Sequence, residues 1–433
     1  MAVKTGSVER LVGSYHAWAT NGASRVPAWL KDLREGGIAR FGDLGFPNMK
    51  QEAWRFTSVA PIAEGSFELA KPPARIPQLE DIRPFLVLEA GYRLVFVDGF
   101  FQPALSTPFF DDIQSLAHVV THRQDLVRQH LGKYAATQDR PFSALNTAFV
   151  SDGAFVHVPA KATVAEPIQL LFLASGKPVV THPRNLVVLE REARASIVET
   201  YASLNDGPYW TNSVTEIVVA EAARVDYHRV QRESARAYHV ATTQTHQGRD
   251  STVNFHSVAF GGSLARHDIS SVMAGPGGTL ILNGLYLLAG EQHADHHTTI
   301  DHAADHCESH EYFNGVLDGR SRGVFTGRII VRPGAQKTDS KQTNNNLLLS
   351  ADAHADSQPQ LEIYADDVKC THGSTVGPLD PRALFYLRSR GVGELEARQL
   401  LTYGFAAEIL GRMGVAVLRA QLDAIVRDRL AEK

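Results

Sequence analysis

The sequence predicts a mainly β protein, with a right-handed parallel β-helix core between helical N-terminal and C-terminal regions. Through the middle of the chain, short β-branched runs recur at spacings on the order of 10–15 residues, separated by small or polar residues. Apolar residues at helical spacing are nearly absent from that stretch. One sandwich of this length would need more strands than a pair of sheets usually holds, whereas stacked coils cover one another and leave only two open ends. Two β-sandwiches in series are the alternative architecture.

Three regions of the chain differ in their sequence patterns. Residues 1–135 are mixed and mainly helical, residues 136–378 form the predicted β-helix core, and residues 379–433 form a helical C-terminal region. The chain has 433 residues and 44% of them are hydrophobic, so it can form a long core with smaller flanking regions.

The N-terminal region begins with two predicted amphipathic helices. Residues 8–18 and residues 26–33 carry apolar side chains three or four positions apart, which is the spacing of one helix face. Residues 92–97 predict a strand that ends at the Asp98-Gly99 turn. Residues 112–131 predict helix again.

The core is predicted to be a series of strands joined by short turns. The clearest strands are at residues 168–173, 185–189, 195–201, 211–219, 224–230, 238–245, 252–258, 266–272 and 279–288. Residues 190–195 (Glu-Arg-Glu-Ala-Arg-Ala) and 221–225 (Glu-Ala-Ala-Arg-Val) have similar sequences. We interpret these two segments as the same turn in consecutive coils.

The C-terminal region predicts three helices. Asp380 followed by Pro381 is a favourable N-cap with proline at the first helical position, and Gly391 has the position of a C′ residue. Two further helices are predicted at residues 394–410 and 415–430. Because this region is too small for a core of its own, its apolar faces should pack on the β domain or on a partner.

Composition and charge disfavour several classes of function and indicate a cellular compartment. The net charge is −4 and the pI is near 6.6, which gives no general attraction to nucleic acid or to anionic membranes. Two cysteines, Cys307 and Cys370, are too few for a disulfide framework and fit a reducing compartment. The sequence has neither a signal-peptide pattern nor an apolar run of about 18 residues. We therefore expect a cytoplasmic protein that binds neither nucleic acid nor membrane.

The most informative chemistry lies at residues 366–377, Asp-Asp-Val-Lys-Cys-Thr-His-Gly-Ser-Thr-Val-Gly. Because alternate side chains of a strand point the same way, Cys370 and His372 can face one partner together. A thiolate beside an imidazole suits iron, zinc or copper, and also suits sulfur chemistry. Two ligands cannot complete a tetrahedral site, so further ligands must come from elsewhere in the chain or from a second protein. A half-buried thiol beside a hydrogen-bonded histidine is the structural alternative.

A run of histidines, mixed with aspartates and Cys307, forms a second cluster. Its histidines are His293, His296, His297, His302, His306 and His310. Neutral imidazole is a common metal ligand, and in strands His293 and His297 would share a face, as would His302 and His306. Two interpretations stay open: a metal site, or paired histidine and aspartate side chains at a structural or pH-sensitive interface.

Two other segments have weaker chemical signals. Residues 336–349 are polar and then apolar, and their consecutive asparagines suit tight turns and amide ladders between coils. The sequence contains neither a phosphate-binding glycine loop nor a Gly-x-Ser-x-Gly elbow. We therefore expect no nucleotide hydrolysis by this chain alone.

Several of these segments resemble the SufB/SufD family of iron–sulfur cluster assembly proteins. The most specific matches are residues 366–377 and the Leu-Phe-Tyr-Leu-Arg-Ser-Arg-Gly of residues 384–391. Residues 336–350 resemble a motif shared by both branches of the family, and residues 52–57, Glu-Ala-Trp-Arg-Phe-Thr, resemble a short N-terminal segment. The Cys-x-His-Gly form resembles the SufD branch rather than the SufB branch.

The resemblance implies a non-catalytic scaffold subunit. Such a subunit pairs with SufB through the β-helix, and its C-terminal helices bind SufC, whose ATPase activity drives the complex. A transient iron–sulfur cluster at the SufB interface would take His372 as an iron ligand shared with SufB, with Cys370 beside it, and no permanent cofactor is implied. A homodimer in the absence of SufB stays open. The residues implied in SufC docking are Leu384, Phe385, Leu387, Arg388 and Arg390.

The alternative function is a stand-alone β-helix metalloprotein or carbohydrate-active enzyme that uses the histidines of residues 293–310. Carbohydrate hydrolysis needs paired carboxylates in a groove lined with aromatics. The predicted strands carry few aromatic residues, which disfavours the carbohydrate-active version.

Overall fold

The central feature of the computed structural model is a β-solenoid of about eight turns, with helices at both ends of the chain. The structure describes residues 5–21, 26–88, 91–109 and 111–431. Most turns contribute one strand to each of two sheets, and strands of successive turns pair in parallel. The predicted fold class is therefore confirmed, and the alternative of two β-sandwiches is wrong.

The described residues contain the following elements in chain order. The helices are α1 (Thr5–Asn21), α2 (Ala28–Leu44), α3 (Ala60–Glu64), α4 (Leu79–Ile82), α5 (Leu116–His122), α6 (Gln124–His130), α7 (Pro141–Ala148), α8 (Pro381–Ser389), α9 (Glu394–Leu410) and α10 (Ala416–Ala431). The strands are β1 (Glu68–Leu69), β2 (Arg93–Val97), β3 (Phe100–Phe101), β4 (Ile113–Ser115), β5 (Ala154–Val158), β6 (Ile168–Ala174), β7 (Val179–Thr181), β8 (Arg184–Leu189), β9 (Arg194–Ser203), β10 (Trp210–Val219), β11 (Arg224–Arg232), β12 (Tyr238–Gln247), β13 (Thr252–Ala259), β14 (Leu264–Met273), β15 (Thr279–Leu288), β16 (His293–His302), β17 (Glu308–Leu317), β18 (Arg322–Val331), β19 (Asp339–Leu348), β20 (His354–Ile363) and β21 (Lys369–Gly377).

The two sheets share one topology because the chain enters them alternately. The first sheet has the order β20-β18-β16-β14-β12-β10-β8-β5-β4, and the second has the order β21-β19-β17-β15-β13-β11-β9-β6-β2-β3. The coil length varies: Tyr238 pairs with Leu264, 26 residues on, whereas Arg322 pairs with His354, 32 residues on. This variation explains why the period of the sequence is irregular.

The turn predicted to recur in consecutive coils does so. Arg194 and Arg224 are register partners at the start of β9 and β11. Just before them, Glu192 and Ala222 both adopt a left-handed backbone, with φ of 63° and 56°. A left-handed backbone conformation costs free energy in a residue that has a side chain. Its recurrence in both turns therefore reflects the sharp corner that each coil makes here.

One register position on the inner face of the second sheet changes from apolar to polar residues toward the last coil. This position is occupied on consecutive coils by Ile197, Tyr227, Phe255, Leu282, Glu311, Gln342 and His372. We call this set the His372 column. The four apolar members are at most 1% exposed, and each contributes roughly 1.5–3 kcal/mol by burial.

Three local features differ from the predicted elements or extend them. Residues 112–131 are not one helix, because β4 pairs with β5 and Ser115 then caps α5 by accepting the His118 backbone N–H. Residues 141–148 form α7 rather than strand.

Helix α2 continues past residue 33 to Leu44. Gly37 allows this helix to pack closely on α7, because a Cβ at Gly37 would lie 2.7 Å from the backbone nitrogen of Ala148.

A buried ion pair within the solenoid also binds the N-terminal region. Arg184 and Glu216 are 1% and 0% exposed, and their Nη2 and Oε2 atoms are 2.6 Å apart. The Glu216 carboxylate also accepts backbone N–H groups of Gly132, Tyr134 and Ala135. The carboxylate therefore holds the segment after α6 against β10.

The C-terminal helices α9 and α10 cover the outer face of the second sheet. Their buried side chains pack on those of the sheet, among them Ile409, Leu410, Leu418, Leu422 and Val426 on the helices and Val230, Val258, Leu285 and Val316 on the strands. Helix α8 has no buried residue. The predicted cap is confirmed, because the Asp380 side chain accepts the Arg382 N–H at 2.9 Å and Gly391 has φ of 88°.

Several histidines are buried in the solenoid and resist protonation. Burial lowers the pKa of His228 to about 3 and that of His256 to about 4, and the two rings stack on the outer face of the second sheet at 4.9 Å. Burial also lowers the pKa of His296 and of His302 to about 4 on the inner face of the first sheet. The folded chain therefore keeps these imidazoles neutral at pH values where an unfolded chain would protonate them.

We expect Glu216→Ala to lower the free energy of unfolding by about 3–5 kcal/mol, because it leaves the Arg184 charge buried without its partner. Urea denaturation of the full chain measures the change. The matched control is Glu221→Ala in an exposed turn, which should shift the value by no more than about 0.5 kcal/mol. Equal effects of the two substitutions would contradict the role of the buried pair.

We expect the protein to lose stability as the pH falls from about 6.5 toward 4. The folded pKa of a buried histidine lies below the unfolded value, so only the unfolded chain gains protons in this window, at about 2 kcal/mol per histidine at pH 5. His296→Phe should reduce the difference in unfolding free energy between pH 7 and pH 5, whereas substitution of the exposed His306 by Gln should not. An unchanged pH dependence in His296→Phe would refute the assignment.

Candidate functional site

The last coil of the solenoid has an unpaired edge in each sheet. Among the described residues, β20 and β21 are the terminal strands of their sheets, and each has a strand partner on one side alone. Backbone N–H and C=O groups on such an edge are free to pair with another chain. The end of the solenoid is therefore the natural place for contact with a second protein.

Strand β21 presents Cys370 and His372 at this end. Cys370 is the register partner of Ser340, and His372 is the register partner of Gln342. Ser340 and Gln342 are 0% and 1% exposed, so they mark the inner face of the second sheet. The two candidate ligands therefore share that face in the last coil, with Cys370 half-buried and His372 exposed.

The environment of Cys370 favours the protonated thiol. Its side chain packs against the solenoid core. Burial, together with the negative charge of Asp339, raises the pKa of Cys370. Since thiolate is the metal-binding and nucleophilic form, a metal or a cationic partner has to displace the proton.

Exposed apolar side chains lie on the two terminal strands or directly after them. Ile363 is 41% exposed, Tyr364 is 61% exposed and Val376 is 48% exposed. Across the open end, the Ser374 hydroxyl donates to the Ser357 hydroxyl at 2.9 Å and so links the two terminal strands. Exposed apolar groups of this kind mark protein interaction sites.

Beneath His372, the inner face carries two buried polar side chains that the sequence analysis did not identify. The Gln342 amide donates from Nε2 to Oε2 of Glu311 at 2.7 Å. Burial raises the pKa of Glu311 to about 7. The polar run at residues 336–349 was a signal in the sequence for buried polar groups. The residue of that run that pairs with Glu311 is decided by the coil length, which the sequence does not give.

The asparagines of that run lie within β19 rather than in a tight turn, and Asn345 makes an amide bond between coils of the predicted kind. Asn345 donates to Asn314 of the preceding coil at 3.4 Å, and Asn346 donates to Asn344 at 2.8 Å. Asn344 also donates to the Tyr286 hydroxyl at 3.2 Å. These bonds stiffen the coil that supports β21.

The histidine run is dispersed over several surfaces. His293 and His297 lie on the outer face of β16, as predicted, but His296 and His302 point inward from the same strand. His306 lies in the following turn, so the expectation that it shares a face with His302 is wrong. Across the described part of the chain, no three histidine, cysteine, aspartate or glutamate side chains are grouped to hold a metal.

The outer-face histidines instead lie beside the N-terminal segment of residues 52–57. The Arg266 guanidinium stacks 3.7 Å from the Trp54 ring and donates to the Ala53 carbonyl at 2.7 Å. Thr57 donates to Asp295 at 2.5 Å, and Asp295 also contacts His297 at 3.1 Å. This segment therefore clamps the N-terminal region onto the first sheet. Sequence reasoning had connected it to neither the histidines nor Asp295.

The residues implied in ATPase docking lie on α8 or, for Arg390, directly after it. Phe385 is 74% exposed and Tyr386 is 58% exposed, while Leu384 and Leu387 are half-buried. Arg388 forms an exposed ion pair with Glu394 at 3.4 Å. The guanidinium of Arg390 lies 5.3 Å from the ring of Tyr386. Helix α8 thus presents an apolar and cationic surface.

None of the described helices combines the length and the apolar character needed to cross a membrane.

Comparison with known proteins agrees with the motifs. The profile of the SUF system FeS cluster assembly SufBD core domain matches residues 172–405, and that of the SufBD protein N-terminal region matches residues 9–170. An iron–sulfur cluster assembly SufBD family protein of Synechocystis is 35% identical, with 92% of this chain and 91% of the relative covered. Iron–sulfur cluster assembly protein SufD of Escherichia coli is 33% identical, with 99% of each chain covered. SufD of Bacillus subtilis is 27% identical, with 93% of this chain and 94% of the relative covered.

These matches cover the solenoid and its flanking regions. The chain belongs to the SufBD family of iron–sulfur cluster assembly proteins.

Proposed function

We propose that this protein is a non-catalytic scaffold subunit that builds and transfers a nascent iron–sulfur cluster at an interface with SufB. The observation that carries the proposal is the half-site on β21: Cys370 and His372 face the same way on an unpaired strand edge. The cluster is the cargo of the complex rather than a resident cofactor. SufB would supply the remaining ligands and the β-strands that continue the solenoid.

A site divided between two chains suits the release of its cargo. His372 would bind iron through one imidazole nitrogen, and mixed histidine and cysteine ligation of iron–sulfur clusters is known chemistry. Cys370 would assist beside it, once its proton is displaced. Separation of the two chains removes ligands from one side of the cluster at once, so a modest rearrangement of the interface suffices for transfer.

The C-terminal helices provide a route by which an ATPase can act on this interface. Helix α9 is anchored to the second sheet, where the Phe405 carbonyl accepts the Asn314 side chain of β17 at 2.9 Å. Strand β17 is two strands from β21 in the same sheet. An ATPase of the SufC type bound to α8 would shift the half-site if it contacts the two states of the interface differently.

The remaining assignments follow from the same proposal. The ATPase activity resides in SufC, and this subunit contributes binding surfaces and ligands. Two free cysteines, Cys307 and Cys370, fit a reducing cytoplasmic setting. The unpaired edge would also allow a homodimer when SufB is absent.

We expect His372→Ala to remove most cluster formation by the reconstituted complex with SufB and SufC, while the complex itself still assembles. Cluster yield is measured by iron and sulfide analysis and visible absorption, and assembly by size-exclusion chromatography. The matched control is His354→Ala, an exposed histidine on the other strand of the same coil, which should retain full yield. Normal yield from His372→Ala would refute the ligand role.

We expect Phe385→Ser to weaken SufC binding by about 30-fold, because exposed aromatic side chains that become buried in an interface contribute about 2 kcal/mol or more. Titration calorimetry of the full chain with the ATPase measures the affinity. Val417→Ser serves as control, since Val417 is 45% exposed on α10, away from α8. Equal affinities of the two variants would place the docking surface elsewhere.

A further inference from the structure

The strongest unassigned feature is the buried pair beneath His372. Glu311 is 2% exposed and Gln342 is 1% exposed, and they occupy the two positions of the His372 column below His372. An apolar column would be the simpler solution for packing, as in the four coils before. Polar groups in such a place need hydrogen-bond partners, because an unpartnered one costs about 1–3 kcal/mol.

The amide of Gln342 has one atom bonded and one atom without a partner. Nε2 donates to Glu311, whereas Oε1 is buried and accepts no hydrogen bond from the described residues. The nitrogen and the oxygen of an amide point in different directions from its carbon. Donation toward Glu311 on the preceding coil therefore leaves Oε1 directed away from Glu311 and able to accept from another group.

The structure also makes room for the amide in this orientation. Gly327 lies on the opposite sheet, and a Cβ there would be 2.1 Å from Nε2 and 2.9 Å from Oε1 of Gln342. The amide therefore spans the interior between the two sheets. In the last coil the register partner of Gly327 is Pro359, which has no backbone N–H to donate. In the same coil the register partner of Gln342 is His372, whose imidazole can donate a hydrogen bond.

We propose that the exposed His372 side chain turns inward and donates its imidazole N–H to Oε1 of Gln342, and that Glu311 holds the amide in the orientation that makes this possible. Gln342 is then a positioning residue. It selects one imidazole tautomer and leaves the other ring nitrogen free to face the partner chain. Ligating histidines usually donate their second N–H to such an acceptor, which fixes the ring and strengthens the ligand. This inference deepens the proposed function and rests on it only for the role of iron.

The test is the tautomer of His372 in the full chain, read from ring ¹⁵N chemical shifts after histidine labelling. Comparison with His372→Ala identifies the signal. We expect one dominant tautomer in the unmodified protein and a mixture in Gln342→Leu. The exchanged pair, Glu311→Gln with Gln342→Glu, retains both the inner hydrogen bond and an acceptor below His372, so it should restore the single tautomer.

A buried glutamine elsewhere provides the matched control. Gln247 is 0% exposed and donates to the Thr279 carbonyl at 3.1 Å on earlier coils. Gln247→Leu should destabilise the chain as Gln342→Leu does, yet leave the His372 tautomer unchanged. The same tautomer populations in Gln342→Leu and in the unmodified protein would overturn the inference, as would failure of the exchanged pair to restore them.

Cluster formation separates this inference from the proposed function. If both hold, Gln342→Leu should lower cluster yield in the reconstituted complex by about 10-fold to 100-fold, with the exchanged pair recovering it. A tautomer that depends on Gln342 together with full yield from His372→Ala would support the positioning and refute the ligand role. A tautomer independent of Gln342 overturns the positioning whatever the yield.

Discussion

The constraint on which this structure depends is the pairing of each coil with the next. Parallel strands in a solenoid satisfy their backbone N–H and C=O groups through neighbouring coils, so the unpaired groups collect at the ends. Here the described end at β20 and β21 carries no further strand. The same constraint that stabilises the interior thus creates an edge that a second protein can extend, and it places Cys370 and His372 on that edge.

The His372 column changes character just where that edge begins. Phe255 and Leu282 are succeeded in this column by Glu311 and Gln342. Burying these groups is less favourable than burying hydrocarbon, so this column stabilises the last coils less than it stabilises the earlier ones. The gain is a rim whose polar atoms can orient an imidazole. The histidine run, by contrast, is divided between inner face, outer face and turn, and its members serve packing and the clamp of residues 52–57.

The C-terminal region has one part that packs on the solenoid and one part that is exposed to solvent. Helices α9 and α10 bury their apolar faces on the second sheet, whereas α8 leaves Phe385 and Tyr386 in solvent. Helix α8 contacts α9, which packs on the sheet that ends in β21. The proposed docking surface is therefore linked to the proposed half-site through α9 and this sheet.

Local sequence patterns were sufficient to predict strand faces, helix ends and a repeated turn in this protein. Strand alternation alone placed Cys370 and His372 on one face, the Asp380 cap and Gly391 defined α8, and the turn at 190–195 revealed its repeat. Which residues meet between coils was decided only by the tertiary structure. Coil lengths range from 26 to 32 residues, so no fixed period could align Gln342 with Glu311 or Thr57 with Asp295. Those contacts depend on register, and register is set by the packing of all the coils together.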